Sequence, residues 1–114
     1  MKTRLRVLFV CALNQWRSPT AEALYRNHPS LEVRSAGVRR SAKRRLTLQD
    51  IQWADVVFVM DQEHKTFIRE EFQGEKLPQI TVLDIPGNLT YMNSELQRLL
   101  RLAIDPEIAI LLGP

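Results

Sequence analysis

Cysteine occurs once in this chain of 114 residues. An internal disulfide is therefore excluded, and a lone thiol suits a reducing cytosol. The two histidines, His28 and His64, lie far apart and read as helix-face residues, so neither a metal site nor any other cofactor is expected. No apolar run approaches the roughly 20 residues that a membrane-spanning helix needs. Met1 to Val10 sets basic residues before apolar ones, but no small-residue cleavage site follows it. It reads as a core strand, not a signal peptide, and a cytoplasmic setting is expected. Repeats and low-complexity segments are absent. The length allows one domain, residues 1–114, and not two. With 45% hydrophobic and 25% charged residues, the composition is that of an ordinary globular domain.

What the chain does have is an uneven distribution of positive charge. The net charge is only +3, yet Arg39, Arg40, Lys43, Arg44 and Arg45 form one cluster. It is read either as a solvated loop or as an attractor of a phosphorylated, acidic partner or of nucleic acid. No recognition-helix pattern or interleaved aromatics support nucleic acid, which is not expected as a partner.

The most informative stretch is Val10-Cys11-Ala12-Leu13-Asn14-Gln15-Trp16-Arg17-Ser18-Pro19-Thr20. An apolar run, Leu5 to Val10, precedes it and reads as a buried strand. Thr20 to His28 reads as a helix. The thiol then sits on a tight loop between a strand and a helix N-terminus, where backbone N–H groups and the helix dipole favour an anion. The same field stabilises a thiolate, which makes Cys11 a candidate nucleophile. Arg17 offers a planar fork that binds two phosphate oxygens at once. The amides of Ala12, Leu13, Asn14, Gln15 and Trp16 can cradle the same oxygens. Ser18 is expected as helix N-cap, with a hydroxyl that can also donate to the thiolate, and Pro19 as the first helical residue. Asn14 tolerates a left-handed backbone, useful where amides must point inward.

At these residues the chain resembles the low-molecular-weight protein tyrosine phosphatases. The matching positions are Leu8-Phe9-Val10-Cys11, Asn14, Arg17-Ser18-Pro19 and Ala21-Glu22. Two further blocks match in order: Arg34-Ser35-Ala36-Gly37, after the second strand, and Ala54 to Asp61, a third-strand segment ending in Met-Asp. The short length and the segment from Leu83-Asp84-Ile85-Pro86 to Tyr91-Met92 look most like a compact bacterial branch of that family. There are departures. Leu13 replaces a family glycine, and Trp16 replaces a second cysteine that can protect the nucleophile as a disulfide. The family's general acid is an Asp in an Asp-Pro step after the fourth strand. Here that region reads Asp84-Ile85-Pro86, and Asp105-Pro106 lies later. Neither is a clean match.

Four short strands are expected: Leu5 to Val10, Leu31 to Ser35, Asp55 to Met60 and Gln79 to Leu83. Helices separate them. The first sets Ala21, Leu24, Tyr25 and His28 on one face. The second starts at Thr47, which has capping-box spacing to Asp50, and runs to Trp53. A third follows Asp61 and buries His64, Phe67, Ile68 and Phe72. A fourth starts near Asn93 and buries Leu96, Leu99, Leu100 and Ala103. Asp105-Pro106 reads as the cap and first residue of a last helix. This alternation implies an α/β, doubly wound sheet of four parallel strands in the order 2-1-3-4, with helices on both faces. Cys11 then lies at the topological switch point, and Asp84 opens on the same edge. Asp84 is accordingly the candidate general acid.

Residues and resemblance together imply a phosphomonoester hydrolase of protein-tyrosine-phosphatase type, acting through a phosphocysteine on Cys11. Its partner is a phosphorylated protein or a small phosphoester, with no membrane involved and an oligomeric state that the sequence leaves open. Two alternatives stand beside it: a catalytically weak phosphate-binding module, and an arsenate reductase that borrows an external thiol.

Overall fold

The computed structural model describes residues 4–114; of the Met1 to Val10 segment, residues 1–3 lie outside the described residues. The elements follow in the order β1 (Leu5–Cys11), α1 (Arg17–Tyr25), β2 (Leu31–Gly37), α2 (Leu48–Trp53), β3 (Val56–Val59), α3 (Gln62–Glu71), β4 (Gln79–Val82) and α4 (Ser94–Leu112). The four strands form one parallel sheet ordered β2-β1-β3-β4. The expected fold class and strand order are those observed.

The period-2 alternation of the strands divides the core in two. Val7, Phe9 and Cys11 of β1 point to one face with Val56, Phe58 and Met60, where α1 and α4 cover them with Tyr25, Leu96, Leu100 and Ile104. Leu8 and Val10 point to the other face with Val57 and Val59, beneath Ile51 and Ile68. Every residue from Val7 to Val10 is fully buried. At about 1.5–3 kcal/mol per large apolar side chain, burial on both faces of β1 and β3 dominates the stabilisation. Phe9 stacks on Phe58 and tilts against Tyr25, with ring centroids 5.9 and 6.0 Å apart. Cys11 therefore ends a central strand that is packed on both faces.

The helix caps follow sequence chemistry. Thr47 and Asp50 close a full capping box on α2, Asp61 caps α3 and Asn93 caps α4. Three expectations are corrected. First, α1 begins at Arg17, three residues before the expected start. Its N-cap is Trp16, which makes no side-chain cap bond. Ser18 lies inside the helix with its hydroxyl turned to Cys11, and Pro19 takes the third helical position, where an N–H would still lack a helical partner. Second, the helix ends at Tyr25, so His28 lies in the following turn, where its Nδ1 accepts the Ser30 N–H. Third, Asp105-Pro106 starts no helix. It lies within α4, and the residue whose carbonyl Pro106 leaves without a helical donor, Leu102, is exposed to water. Asp105 instead accepts a hydrogen bond from the Tyr25 hydroxyl, tying α4 to α1.

One backbone approach positions the site. β1 and β2 run in register until Cys11 pairs with Gly37. A Cβ on Gly37 would lie 2.8 Å from the Ala12 carbonyl oxygen, 2.9 Å from the Asn14 amide nitrogen and 2.6 Å from the Ala42 Cβ. Two loops meet there with room for no side chain. Gly37→Ala should therefore lower the unfolding free energy by about 1–3 kcal/mol, read from urea midpoints. A loss below about 0.5 kcal/mol, within the range of ordinary surface substitutions, would show that the two loops separate freely.

Candidate active site

The loop from Cys11 to Arg17 uses its carbonyls and leaves its amides. The Cys11 carbonyl accepts from the Val38 N–H, that of Ala12 from Arg39 and that of Leu13 from Lys43, each at 3.0 Å. The Trp16 carbonyl accepts from both the N–H and the hydroxyl of Thr20, at 3.0 and 2.6 Å. By contrast, no backbone N–H of residues 12–16 donates to an acceptor among the described residues. Asn14 takes the left-handed conformation expected of it, with φ of 54°. A run of unpaired N–H groups in such a turn, leading into a helix N-terminus, is an anion cradle.

Behind the cradle a polar chain reaches the thiol. Cys11 Sγ lies 3.0 Å from Ser18 Oγ. The Asn14 side-chain amide donates to Ser18 Oγ and to Ser35 Oγ, both at 2.9 Å. The Ser35 hydroxyl in turn donates to the Glu22 carboxylate. Asn14 engages one lone pair of Ser18 Oγ, and the Ser18 proton lies within reach of the sulfur at 3.0 Å and of the Ala36 carbonyl at 3.4 Å; a thiolate, which can only accept, would draw it to sulfur. Cys11, Asn14, Ser18 and Ser35 are all buried, so the chain is shielded from water.

Arg17 is held by one edge. Its Nη1 donates to the Ile85 carbonyl at 3.0 Å and to Asp61 Oδ2 at 3.2 Å. Nη2 and Nε donate to no protein group among the described residues. The guanidinium is oriented by the protein through Nη1, and Nη2 and Nε remain without a protein partner among the described residues. The carboxylate of Asp61, at the cap of α3, and the carbonyl of Ile85, past the end of β4, set that orientation.

These parts surround a cavity of about 380 Å³. Of the residues singled out by sequence, Cys11, Ala12, Leu13, Gln15, Trp16 and Arg17 line it. Asn14 and Ser18 stand behind it as supports. The Leu13 and Trp16 side chains, both departures from the resembled pattern, form part of its wall, and Trp16 is 38% exposed. Asp84 is not brought to the cavity. It is exposed, has a φ of 56°, and the segment that it starts reaches the rim only at Gly87. A Cβ at Gly87 would lie 3.3 Å from the Arg17 guanidinium carbon.

Sequence reasoning missed Asp61 as the anchor of Arg17, Ser35 and Glu22 as links to the thiol, and Arg39 and Ser41 on the cavity wall. The first four fall in or beside segments already marked by the resemblance, so a signal was present; Ser41 had none. Tyr91 is 51% exposed and lines a neighbouring cleft with Trp16.

His64 closes the floor beside Asp61. It is 3% exposed, and its Nδ1 accepts the Asp61 N–H at 3.3 Å. Burial holds its pKa below the ordinary histidine value, outweighing the attraction of Asp61. It is therefore neutral near pH 7.

No protein-family model matches the chain. In sequence it is 35% identical over 95 residues to a protein-arginine-phosphatase of Geobacillus stearothermophilus. That match covers 62% of this chain, and the chain spans 64% of that relative's length. In structure it is similar to the YwlE arginine phosphatase from Geobacillus stearothermophilus. The TM-score is 0.70 at 28% identity, covering 91% of this chain and 94% of the other. It is also similar to SP-PTP, a low molecular weight protein tyrosine phosphatase from Streptococcus pyogenes. There the TM-score is 0.77 at 18% identity, covering 91% of each chain, which concerns the fold. The resemblance read over residues 4 to about 85 is borne out: the relative in sequence is a bacterial protein-arginine-phosphatase, and the solved structures of like fold include an arginine phosphatase and a low molecular weight protein tyrosine phosphatase.

The neutral state of His64 has a consequence for stability. The unfolded chain takes up a proton at the ordinary histidine value, and the folded chain only at lower pH. The stability that His64 contributes is therefore complete above the unfolded value, near 6.5, and falls as pH drops through the window below it. Urea midpoints should decline between about pH 7 and pH 5, and His64→Gln should flatten that decline. An unchanged slope in the variant would show that His64 is not the group responsible.

Proposed function

We propose that this chain, a relative of the bacterial low-molecular-weight phosphatases in sequence and fold, is a cysteine-dependent phosphatase acting on phosphorylated protein. One observation carries the reading. Cys11, four loop residues with unpaired amides (Ala12, Leu13, Gln15 and Trp16) and Arg17, held by Nη1 alone, line one cavity. In the first step the Cys11 thiolate attacks phosphorus in line, an S–P bond forms and the bond to the leaving group breaks. The leaving group takes a proton from an acid. Water then attacks the phosphocysteine, gives its proton to the same group, and the S–P bond breaks to release phosphate and restore the thiolate. Arg17 and the loop amides balance the charge on the equatorial oxygens throughout, and Ser18 stabilises sulfur as leaving group in the second step.

Asp84 is the proposed acid and base. It follows β4 at the carboxyl end of the sheet, where β1 ends in Cys11; it does not itself line the cavity, which the segment that it begins reaches at Gly87. Hydrolysis of phosphotyrosine is the substrate reading taken from the loop. A second reading, phosphoarginine, is favoured by the names of the relatives, both arginine phosphatases. Release of phosphate from matched phosphotyrosine and phosphoarginine peptides separates them. The proposed setting is the cytoplasm, where a lone thiol stays reduced. Among the described residues no helix is long and apolar enough to cross a membrane.

Cys11→Ser should abolish phosphate release while leaving the fold intact. Arg17→Lys keeps the charge but loses the planar grip, and kcat/KM should fall at least ~100-fold, about 2.7 kcal/mol of transition-state stabilisation. Near-normal turnover by folded Arg17→Lys protein would remove Arg17 from the phosphate site. A wild-type protein that binds phosphate without turning over would make the chain a binding module.

Asp84→Asn should slow a substrate with a poor leaving group, such as phenyl phosphate, far more than p-nitrophenyl phosphate, which needs little protonation. Equal losses on both would place the acid elsewhere.

A further inference from the structure

The basic cluster at residues 39–45 is not a uniform solvated loop. Val38, Arg39 and Lys43 donate their backbone N–H groups to the carbonyls of the Cys11 loop, so the segment is pinned to the site. Its side chains then divide. Arg44 is spent internally, on the buried Asp50 carboxylate and, at 2.7 Å, on the Ser35 carbonyl. Lys43 turns to the cleft shared by Trp16 and Tyr91. Arg39, Arg40 and Arg45 are exposed and make no ion pair or side-chain hydrogen bond among the described residues. All three line a second cavity of about 550 Å³.

That cavity adjoins the first: Ala12, Arg17 and Arg39 border both. Its opposite wall carries Phe67 and two carboxylates, Asp61 and Glu63. Asp61 is already paired with Arg17. Three unpaired guanidinium groups thus face one unpaired carboxylate in a groove that leads directly out of the phosphate site. Three like charges held together on a pinned loop repel one another, and an anion placed between them relieves that repulsion.

We propose that this groove is a second anion subsite, which takes the acidic side chains flanking the phosphorylated residue of a polypeptide substrate. The proposal rests on the phosphatase reading and narrows its substrate class. A carboxylate one or two residues from the phosphorylated side chain lies about 3.5–7 Å along an extended backbone, a span suited to adjoining cavities. Guanidinium groups grip carboxylates bidentately, and Phe67 offers apolar contact for the aliphatic stem of Glu. Peptide fits better than nucleic acid. The groove holds one partly exposed aromatic ring, and its carboxylates would repel a continuous phosphate backbone.

The test compares three phosphopeptides that carry the same phosphorylated residue flanked by Glu, by Ala or by Lys. Phosphate release should show kcat/KM about tenfold higher for the Glu peptide than for the Ala peptide, with the Lys peptide lower still. The advantage should shrink at high salt. The double variant Arg40→Gln/Arg45→Gln should lose most of the Glu preference, with a much smaller change on p-nitrophenyl phosphate. Arg40→Lys/Arg45→Lys should retain most of it. Equal rates on all three peptides, with hydrolysis intact, overturn the subsite and leave the phosphatase reading standing. If no substrate is hydrolysed, that reading fails. The subsite is then judged by affinity of the three peptides for the wild-type protein, and equal affinities overturn it. Tighter binding of a single-stranded RNA of equal charge than of the Glu peptide also overturns it.

Discussion

The site depends on which backbone groups of one loop are occupied. A strand-to-helix loop has donors and acceptors in equal number, and a loop that bonded both within the protein would present nothing to a ligand. Here the segment after β2 takes the carbonyls of Cys11, Ala12 and Leu13, and Thr20 takes that of Trp16. The amides of residues 12–16 are left with no protein acceptor among the described residues. This polarity requires β2 to run on past its last apolar residue, in register with Cys11, and to turn close against the loop. Only a residue without a side chain allows that approach, which is why Gly37 stands there. The anion cradle is thus a property of two loops and not of the Cys11 loop alone.

Rigidity behind the cradle comes from the core and from a satisfied polar network. The alternation in β1 fills both faces of the sheet up to Val10, so the thiol has a fixed origin. The link from Glu22 through Ser35, Asn14 and Ser18 then sets the hydroxyl that meets it. A buried network of this kind is costly if one member is missing. Among the described residues, every buried side-chain nitrogen and oxygen has a partner. Each link is therefore in a position to affect the sulfur without touching substrate.

Much of this was legible in the sequence because the signals were local. Short apolar runs gave the strands, and their alternation with helices gave the 2-1-3-4 sheet. Thr47 and Asp50 announced their capping box, and Asn14 its left-handed turn. Where the reading went wrong, a long-range contact had overridden a local preference. Ser18 has the chemistry of an N-cap, but its hydroxyl serves Cys11, and the helix starts earlier without a side-chain cap. Asp105-Pro106 has the form of a helix start, yet the Tyr25 hydroxyl and the apolar stripe through Ile104 and Ile108 keep it within α4. Asp61 lies 44 positions from Arg17, and no local pattern states that pairing.

That pairing shapes the chemistry of the site. A carboxylate against the arginine proposed to bind phosphate lowers the local positive field, which by itself would weaken phosphate binding. It also fixes a side chain that would otherwise lose rotamer freedom each time substrate bound, a cost of up to about 2 kcal/mol for arginine. In the proposed reaction the exchange would favour release of product over tight binding. Orientation helps the transition state and the ground state alike, whereas excess positive charge would hold the product phosphate after the S–P bond has broken. Asp61 is at the same time the cap of α3, and its own N–H is received by buried His64. The direction of Arg17 is therefore set by a helix end packed on the sheet, the same construction that fixes Cys11 on the neighbouring strand. The proposed nucleophile ends β1, and the proposed phosphate clamp opens α1 and is held by Asp61 just past the neighbouring β3, so the same sheet sets the position of the sulfur and the direction of the guanidinium.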